Sequence, residues 1–164
     1  MHEKAAGTVL DIGFGTGTLT ARLYNDGYNI YGIDFSSKMI EIAKVKMPGA
    51  ELYCYDFTKG LPESLKDTKF DCILSTYAMH HLSSEQKIVF IHELWEHLEA
   101  DGKILIGDIA FETKDKLDTC QTLNGTSWDV DEIYIVYSDL VKNIAFGKTE
   151  FFTISPCALS LIHI

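Results

Sequence analysis

No apolar stretch of the 164 residues reaches transmembrane length, and the opening Met1-His2-Glu3-Lys4-Ala5-Ala6-Gly7 lacks the apolar core of a secretory signal. Both absences lead us to expect a cytoplasmic protein with no membrane partner. Cysteine is sparse: Cys54, Cys72, Cys120 and Cys157 are scattered, with no C-x-x-C pair. They read as small core hydrophobes in a reducing compartment, not as a disulfide scaffold or a metal centre. Positive charge is in deficit, with 14 Lys and Arg against 24 Asp and Glu and a formal net charge of −10. Because the basic residues are also dispersed, a nucleic-acid backbone would be repelled. Repeats and low-complexity segments are missing too. What remains is a chain whose 46% hydrophobic content suffices for one core, read as a single domain over residues 1–164.

The most informative segment is Val9-Leu10-Asp11-Ile12-Gly13-Phe14-Gly15-Thr16-Gly17-Thr18, an apolar strand running into a glycine turn and then a helix. Glycines at such a turn permit unusual φ/ψ values and let the backbone approach a ligand closely. The dinucleotide fingerprint G-x-G-x-x-G/A would need Gly or Ala at position 18, where this chain has Thr18. Here the spacing is G-x-G-x-G. About twenty residues on, Asn29-Ile30-Tyr31-Gly32-Ile33-Asp34 reads as a second strand ending in a carboxylate that can accept two ribose hydroxyls. By itself, Asp34 does not separate a nicotinamide from another adenosine cofactor.

Two further stretches, Leu52-Tyr53-Cys54-Tyr55-Asp56-Phe57 and Phe70-Asp71-Cys72-Ile73-Leu74-Ser75-Thr76-Tyr77-Ala78-Met79-His80-His81-Leu82, complete an ordered set. Together the four resemble the class I S-adenosylmethionine (SAM) dependent methyltransferases, and in particular small bacterial members that act on small molecules. The resemblance covers nearly the whole chain. It implies a Rossmann-like α/β sandwich with a seven-stranded, mostly parallel sheet of order 3-2-1-4-5-7-6, strand seven antiparallel, and helices on both faces. Periodicity alone gives only α/β. It further implies SAM as cofactor, held by Asp11, Gly13, Gly15, Gly17, Asp34, Met39, Asp56, Phe57 and Ser75. Asp11 would anchor the methionine amino group through water, Asp34 the ribose and Asp56 the adenine amino group. Family members usually carry a helical segment before strand one that covers the methionine end of SAM. Strand one here starts almost at Met1, so that segment is expected to be missing.

Elsewhere, strands and helices alternate. A helix is expected from about Thr16 to Asn25, its N-terminus facing the ligand. A second is expected after the N-cap Ser36, with Ile40, Ala43 and Met47 on one face and Pro48 as its stop. Ser83-Ser84-Glu85-Gln86 has the form of a capping box, opening a helix with Ile88, Ile91, Trp95 and Leu98 at helical spacing. His92 and His97 on that helix are five apart, so the H-E-x-x-H zinc pattern fails and no metal is expected. After an Asp101-Gly102 turn, Lys103–Ile109 reads as a buried fifth strand. From Phe111 to Val130 the chain is polar and without clear period, a region that shapes the substrate pocket in the family. Ile133, Val136, Leu140 and Ile144 then restore helical spacing. Glu150–Ser155 and Ala158–Ile164 read as a closing hairpin joined at Pro156-Cys157.

The expected chemistry is transfer of the SAM methyl group to a small-molecule acceptor by in-line displacement, leaving S-adenosyl-L-homocysteine (SAH). An oxygen acceptor would need a base, for which His80, His81 and Tyr77 after strand four are the candidates. Against this, one histidine could simply bond the loop while the other packs beneath the substrate, and Tyr77 could be a pocket wall. A non-catalytic SAM-binding module is a second reading. A nicotinamide-dependent oxidoreductase is a third, disfavoured by Thr18 and by the want of a Tyr-x-x-x-Lys pair.

Overall fold

The computed structural model describes residues 6–144, 146–155 and 160–164. Strand β1 (Thr8–Ile12) leads through the glycine turn into α1 (Thr20–Asn25), then β2 (Asn29–Asp34), α2 (Ser37–Lys46) and β3 (Glu51–Cys54). Strand β4 (Phe70–Thr76), α3 (Ser84–Glu96) and β5 (Leu98–Asp108) follow. The remainder is β6 (Ala110–Phe111), α4 (Lys114–Asn124), β7 (Ile135–Val136), α5 (Tyr137–Leu140), β8 (Glu150–Thr153) and β9 (Ser160–His163).

Seven strands form one sheet in the order β3-β2-β1-β4-β5-β9-β8. The first five are mutually parallel, and β9 is antiparallel to both β5 and β8. Counting β8 and β9 as the sixth and seventh strands of the sheet, this is the expected 3-2-1-4-5-7-6. The residues expected to join the hairpin, Pro156 and Cys157, lie outside the described residues, as do Ala158 and Leu159.

Strand alternation divides the core. Leu10, Ile12, Ile73, Ile104 and Ile106 join Phe90, Ile91 and Leu94 of α3 on one face. Val9, Ile30 and Leu74 join Ile40 and Ala43 of α2 and Met47 on the other. The capping box of α3 is formed as read: Ser83 accepts from the Gln86 N–H, and the Gln86 side chain accepts from the Ser83 N–H at 2.8 Å.

Several expectations are corrected. Helix α1 begins at Thr20, not Thr16, because the left-handed Gly15 and Gly17 keep the chain out of helical geometry until past the turn. Asp101-Gly102 is no turn but part of an eleven-residue β5, beside a register shift between Phe70 and Cys72. The stretch 111–130 contains α4, which buries only Leu117 and Cys120. The expected helix over Ile133–Ile144 instead opens with β7, paired in parallel with β6, before the short α5. Of the cysteines expected as reduced core hydrophobes, Cys54 is an exposed free thiol and Cys72 a half-buried one, whereas Cys120 is buried as expected but disulfide-bonded; Cys157 lies outside the described residues. No helix among the described residues is long and apolar enough to cross a membrane.

Candidate active site

In a parallel sheet the loops leaving neighbouring strands on either side of a topological switch point diverge and leave a crevice at the carboxyl edge. Here the switch lies at β1, flanked by β2 and β4. The three loop glycines all have left-handed φ, +70° at Gly13, +56° at Gly15 and +67° at Gly17, but do different work. A Cβ on Gly13 would stand 2.6 Å from that of Ala78, so this glycine lets the β1 and β4 loops touch. One on Gly17 would meet Met47 Cε at 2.7 Å, so its space is taken by the residue capping α2. Only Gly15 faces open space within 4 Å.

Asp34, at the end of β2, is 5% exposed. Its Oδ2 accepts from the Gly15 N–H and its Oδ1 from the Ser36 N–H, each at 2.8 Å. The carboxylate thus fixes both the glycine turn and the start of α2, where Ser36 is the N-cap as expected. Gly13, Gly15, Asp34, Met39, Phe57, Tyr77 and His81 line one cleft of about 290 Å³. Seven of the twelve residues singled out from the sequence therefore converge, although they come from four separate loops and turns.

The other five stand apart from that lining. Asp11 is 1% exposed and takes the Thr20 hydroxyl on Oδ2; its Oδ1 has no partner among the described residues. Burial pushes its carboxyl up from 3.8 to about 7, with the Thr20 hydrogen bond opposing and the charge of Asp34 adding. Ser75, beside Ile12 in register, is likewise buried with an unpartnered hydroxyl. Gly17 packs as described. Asp56 caps the short turn Phe57–Lys59: its Oδ1 accepts from Thr58 Oγ1 at 2.6 Å and from the Thr58 N–H at 3.1 Å. Those bonds, with Lys59 adding attraction, hold its carboxyl below the usual range.

His80 is the fifth. It is turned into the protein, 7% exposed, with Nδ1 2.8 Å from Asp108 Oδ1 and its N–H 3.1 Å from Asp108 Oδ2. His81, its ring centroid 4.3 Å away, faces the cleft instead. Tyr77 is 55% exposed and is the one non-glycine residue with positive φ, +51°, among those described. A left-handed aromatic is strained, and here its N–H is held by the Gly107 carbonyl at 2.8 Å.

Lys87 escaped the sequence reading. It is 2% exposed, and its Nζ donates to the carbonyls of Leu82 and Ile133. Desolvation lowers it from 10.5 to about 8, opposed by Asp108 and Glu85. A signal was present, since Lys87 falls on the same helical stripe as Phe90, Ile91 and Leu94. His92 and His97 point to separate backbone carbonyls, those of Asn143 and Thr68. No cluster able to hold a metal occurs among the described residues. A larger groove of about 490 Å³ lies along α4 and β6 but shares no residue with the strand-end cleft.

The chain matches the methyltransferase domain family over residues 9–102. It is 36% identical over 155 residues to an uncharacterized methyltransferase of Oceanobacillus iheyensis, covering 91% of this chain and 71% of that one. It spans about half the length of other uncharacterized methyltransferases, such as one from Bacillus cereus, 40% identical over 117 residues and 53% covered. Among solved structures, a TehB-like SAM-dependent methyltransferase from Corynebacterium glutamicum superposes with a TM-score of 0.69 at 19% identity, over 98% of this chain and 80% of that one. Magnesium protoporphyrin IX methyltransferase from Synechocystis, with SAH bound, gives 0.71 at 19% identity, over 97% and 74%. With its sheet order and its glycine turn, the chain belongs to the class I SAM-dependent methyltransferases.

Proposed function

We propose that the strand-end cleft binds SAM and presents its methyl group to a small-molecule acceptor. The observation that carries this reading is the pairing of Gly15, open to the cleft, with an Asp34 carboxylate held at the cleft wall by two backbone N–H groups. Each carboxylate oxygen has a second lone pair free, so Asp34 can still accept the two ribose hydroxyls. Met39 and Phe57 offer apolar surface to the adenine, and Asp56 Oδ2, 3.6 Å from Lys59 Nζ, can accept the adenine amino group. The unpartnered oxygens of Asp11 and Ser75 suit the methionine end, reached through water behind the glycine turn.

SAM supplies a methyl group already activated by its sulfonium. The chain's own task is to align acceptor and donor in line and exclude water, and such positioning is worth effective molarities of about 10⁵ to 10⁸ M in well-oriented systems. His81 is the imidazole at the cleft and takes the proton of an oxygen acceptor; Tyr77, largely exposed, forms the outer wall. His80 is tied to Asp108 and is not the base. A small-molecule acceptor agrees with the dispersed positive charge, and one structural neighbour is by name a porphyrin methyltransferase. A cytoplasmic site belongs to the same reading, since a charged sulfonium crosses a bilayer poorly.

Calorimetric titration with SAM, SAH and NAD tests the assignment. Micromolar binding of the first two and none of NAD is expected, and Asp34→Ala should weaken SAM at least tenfold, about 1.4 kcal/mol. Unchanged affinity in that variant, or preferential binding of NAD, overturns it.

A further inference from the structure

One polar cluster is untouched by that chemistry. Asp108, 1% exposed at the end of β5, accepts three hydrogen bonds: from the His80 ring and the Ile109 N–H on Oδ1, each 2.8 Å, and from the His80 N–H on Oδ2. A carboxylate gripping both the ring and the backbone N–H of His80 fixes the ring and places a proton on Nδ1. The opposite nitrogen, Nε2, faces Glu132 Oε1 at 3.6 Å. Glu132 lies in the segment 128–134 between the turn after α4 and β7. That segment is also fastened by the Ile133 N–H to the His80 carbonyl at 3.0 Å and by Lys87 Nζ to the Ile133 carbonyl at 2.6 Å.

We propose that His80 is a positioning residue, which in its doubly protonated form latches Glu132 and thereby docks the segment 128–134 beside His81 at the acceptor side of the cleft. This rests on the assignment of His81 to the acceptor side made above. The logic is electrostatic. With Nδ1–H committed to Asp108, Nε2 carries either a lone pair, which repels the Glu132 carboxylate, or a proton, which attracts it. Gaining that second proton turns the contact from repulsive to attractive, so docking tightens on the acid side. The charged groups facing the ring are Asp108 from β5, Glu132 from the docked segment and His81 from its own turn. Beyond them, Lys87 of α3 acts on Asp108, and Tyr134 hydrogen-bonds Glu132. The expected cost of an undocked segment is an acceptor site whose wall is poorly held.

The test is amide hydrogen exchange of Ile133 and its neighbours, expressed as protection relative to the free-chain rate, at pH 5.5 and pH 7, both below the range in which Lys87, which also holds the Ile133 carbonyl, releases its proton. Wild type should show about fivefold more protection at the lower pH, the size of a partly exposed ion pair. In Glu132→Gln the pH dependence should vanish, and in His80→Gln, if it folds, likewise. Equal protection of the wild type at both pH values, or a pH dependence that survives in Glu132→Gln, overturns the latch. SAH titration of the same samples separates the two readings. Glu132→Gln should bind SAH like wild type, and a wild type that does not bind SAH overturns the cofactor site while the exchange result still decides the latch.

Discussion

At the scale of single residues, Asp11 carries the sharpest consequence. Its carboxyl titrates at about 7 in the fold against 3.8 in the free side chain, so between those values the folded state holds a proton that the unfolded chain has released. Stability therefore falls as pH rises across that window and levels above it. A cation brought near Oδ1 favours the ionised form and reverses the shift. SAM binding at pH 6 should release close to one proton, and affinity should rise with pH until about 7 and then flatten; Asp11→Asn should abolish both effects. Calorimetry in two buffers of different ionisation enthalpy measures the release, and no release in the wild type would remove Asp11 from the site. Gly13→Ala makes a second case. Its Cβ would sit 2.6 Å from that of Ala78 at a φ of +70°, so a loss of several kcal/mol, about 2 to 4 by analogy with overpacking and left-handed strain, is expected in urea unfolding.

At the scale of elements, what the sequence made legible was local. The glycine turn, Asp34 and the N-cap Ser36 lie within 24 residues, and each bears a signature set by backbone geometry. The sheet order followed from resemblance, since strand hydrophobicity does not reveal neighbours. Helix α4 was missed because its buried stripe is two residues wide, too narrow for a period to stand out. The 133–144 helix was misread because Ile133, Val136 and Leu140 keep helical spacing while Ile135 and Val136 pair with β6, a tertiary contact that overrides periodicity. The relay of His80, Asp108 and Glu132 was illegible for the same reason: its members come from three elements, 28 and 52 residues from His80. Helix α3 joins the legible and the hidden. Its capping box was read correctly, and its buried Lys87 was not. Because Lys87 titrates at about 8 in the fold and 10.5 when free, the unfolded chain binds the extra proton between those values, and stability should rise with pH across that window. The difference in urea midpoint between wild type and Lys87→Met, measured at pH 8 and pH 10, should shift in favour of wild type at the higher pH. A constant difference would mean that the ammonium is not strained by burial.

At the scale of the molecule, the cleft is assembled from the ends of β1 and β2, the first turn of α2, the short turn after β3 and the loop after β4, so a ligand there bridges elements that unfolding must separate. Binding to the folded state alone stabilises by RT ln(1 + [L]/Kd), about 2.7 kcal/mol at a hundredfold excess over Kd. For a domain of this length each kcal/mol moves the melting midpoint by roughly 2–4 °C. SAH at that excess should therefore raise the midpoint by about 5–10 °C. At the same SAH concentration Asp34→Ala, if tenfold weaker, should show about half the shift, because only the ratio [L]/Kd has changed. The comparison is internal to each protein, with and without ligand, so it is insensitive to whatever Asp34→Ala does to the unliganded fold by freeing the Gly15 and Ser36 N–H groups. A full-sized shift in the variant would show that the ligand is held elsewhere, and the larger groove along α4 and β6 would then be the place to look.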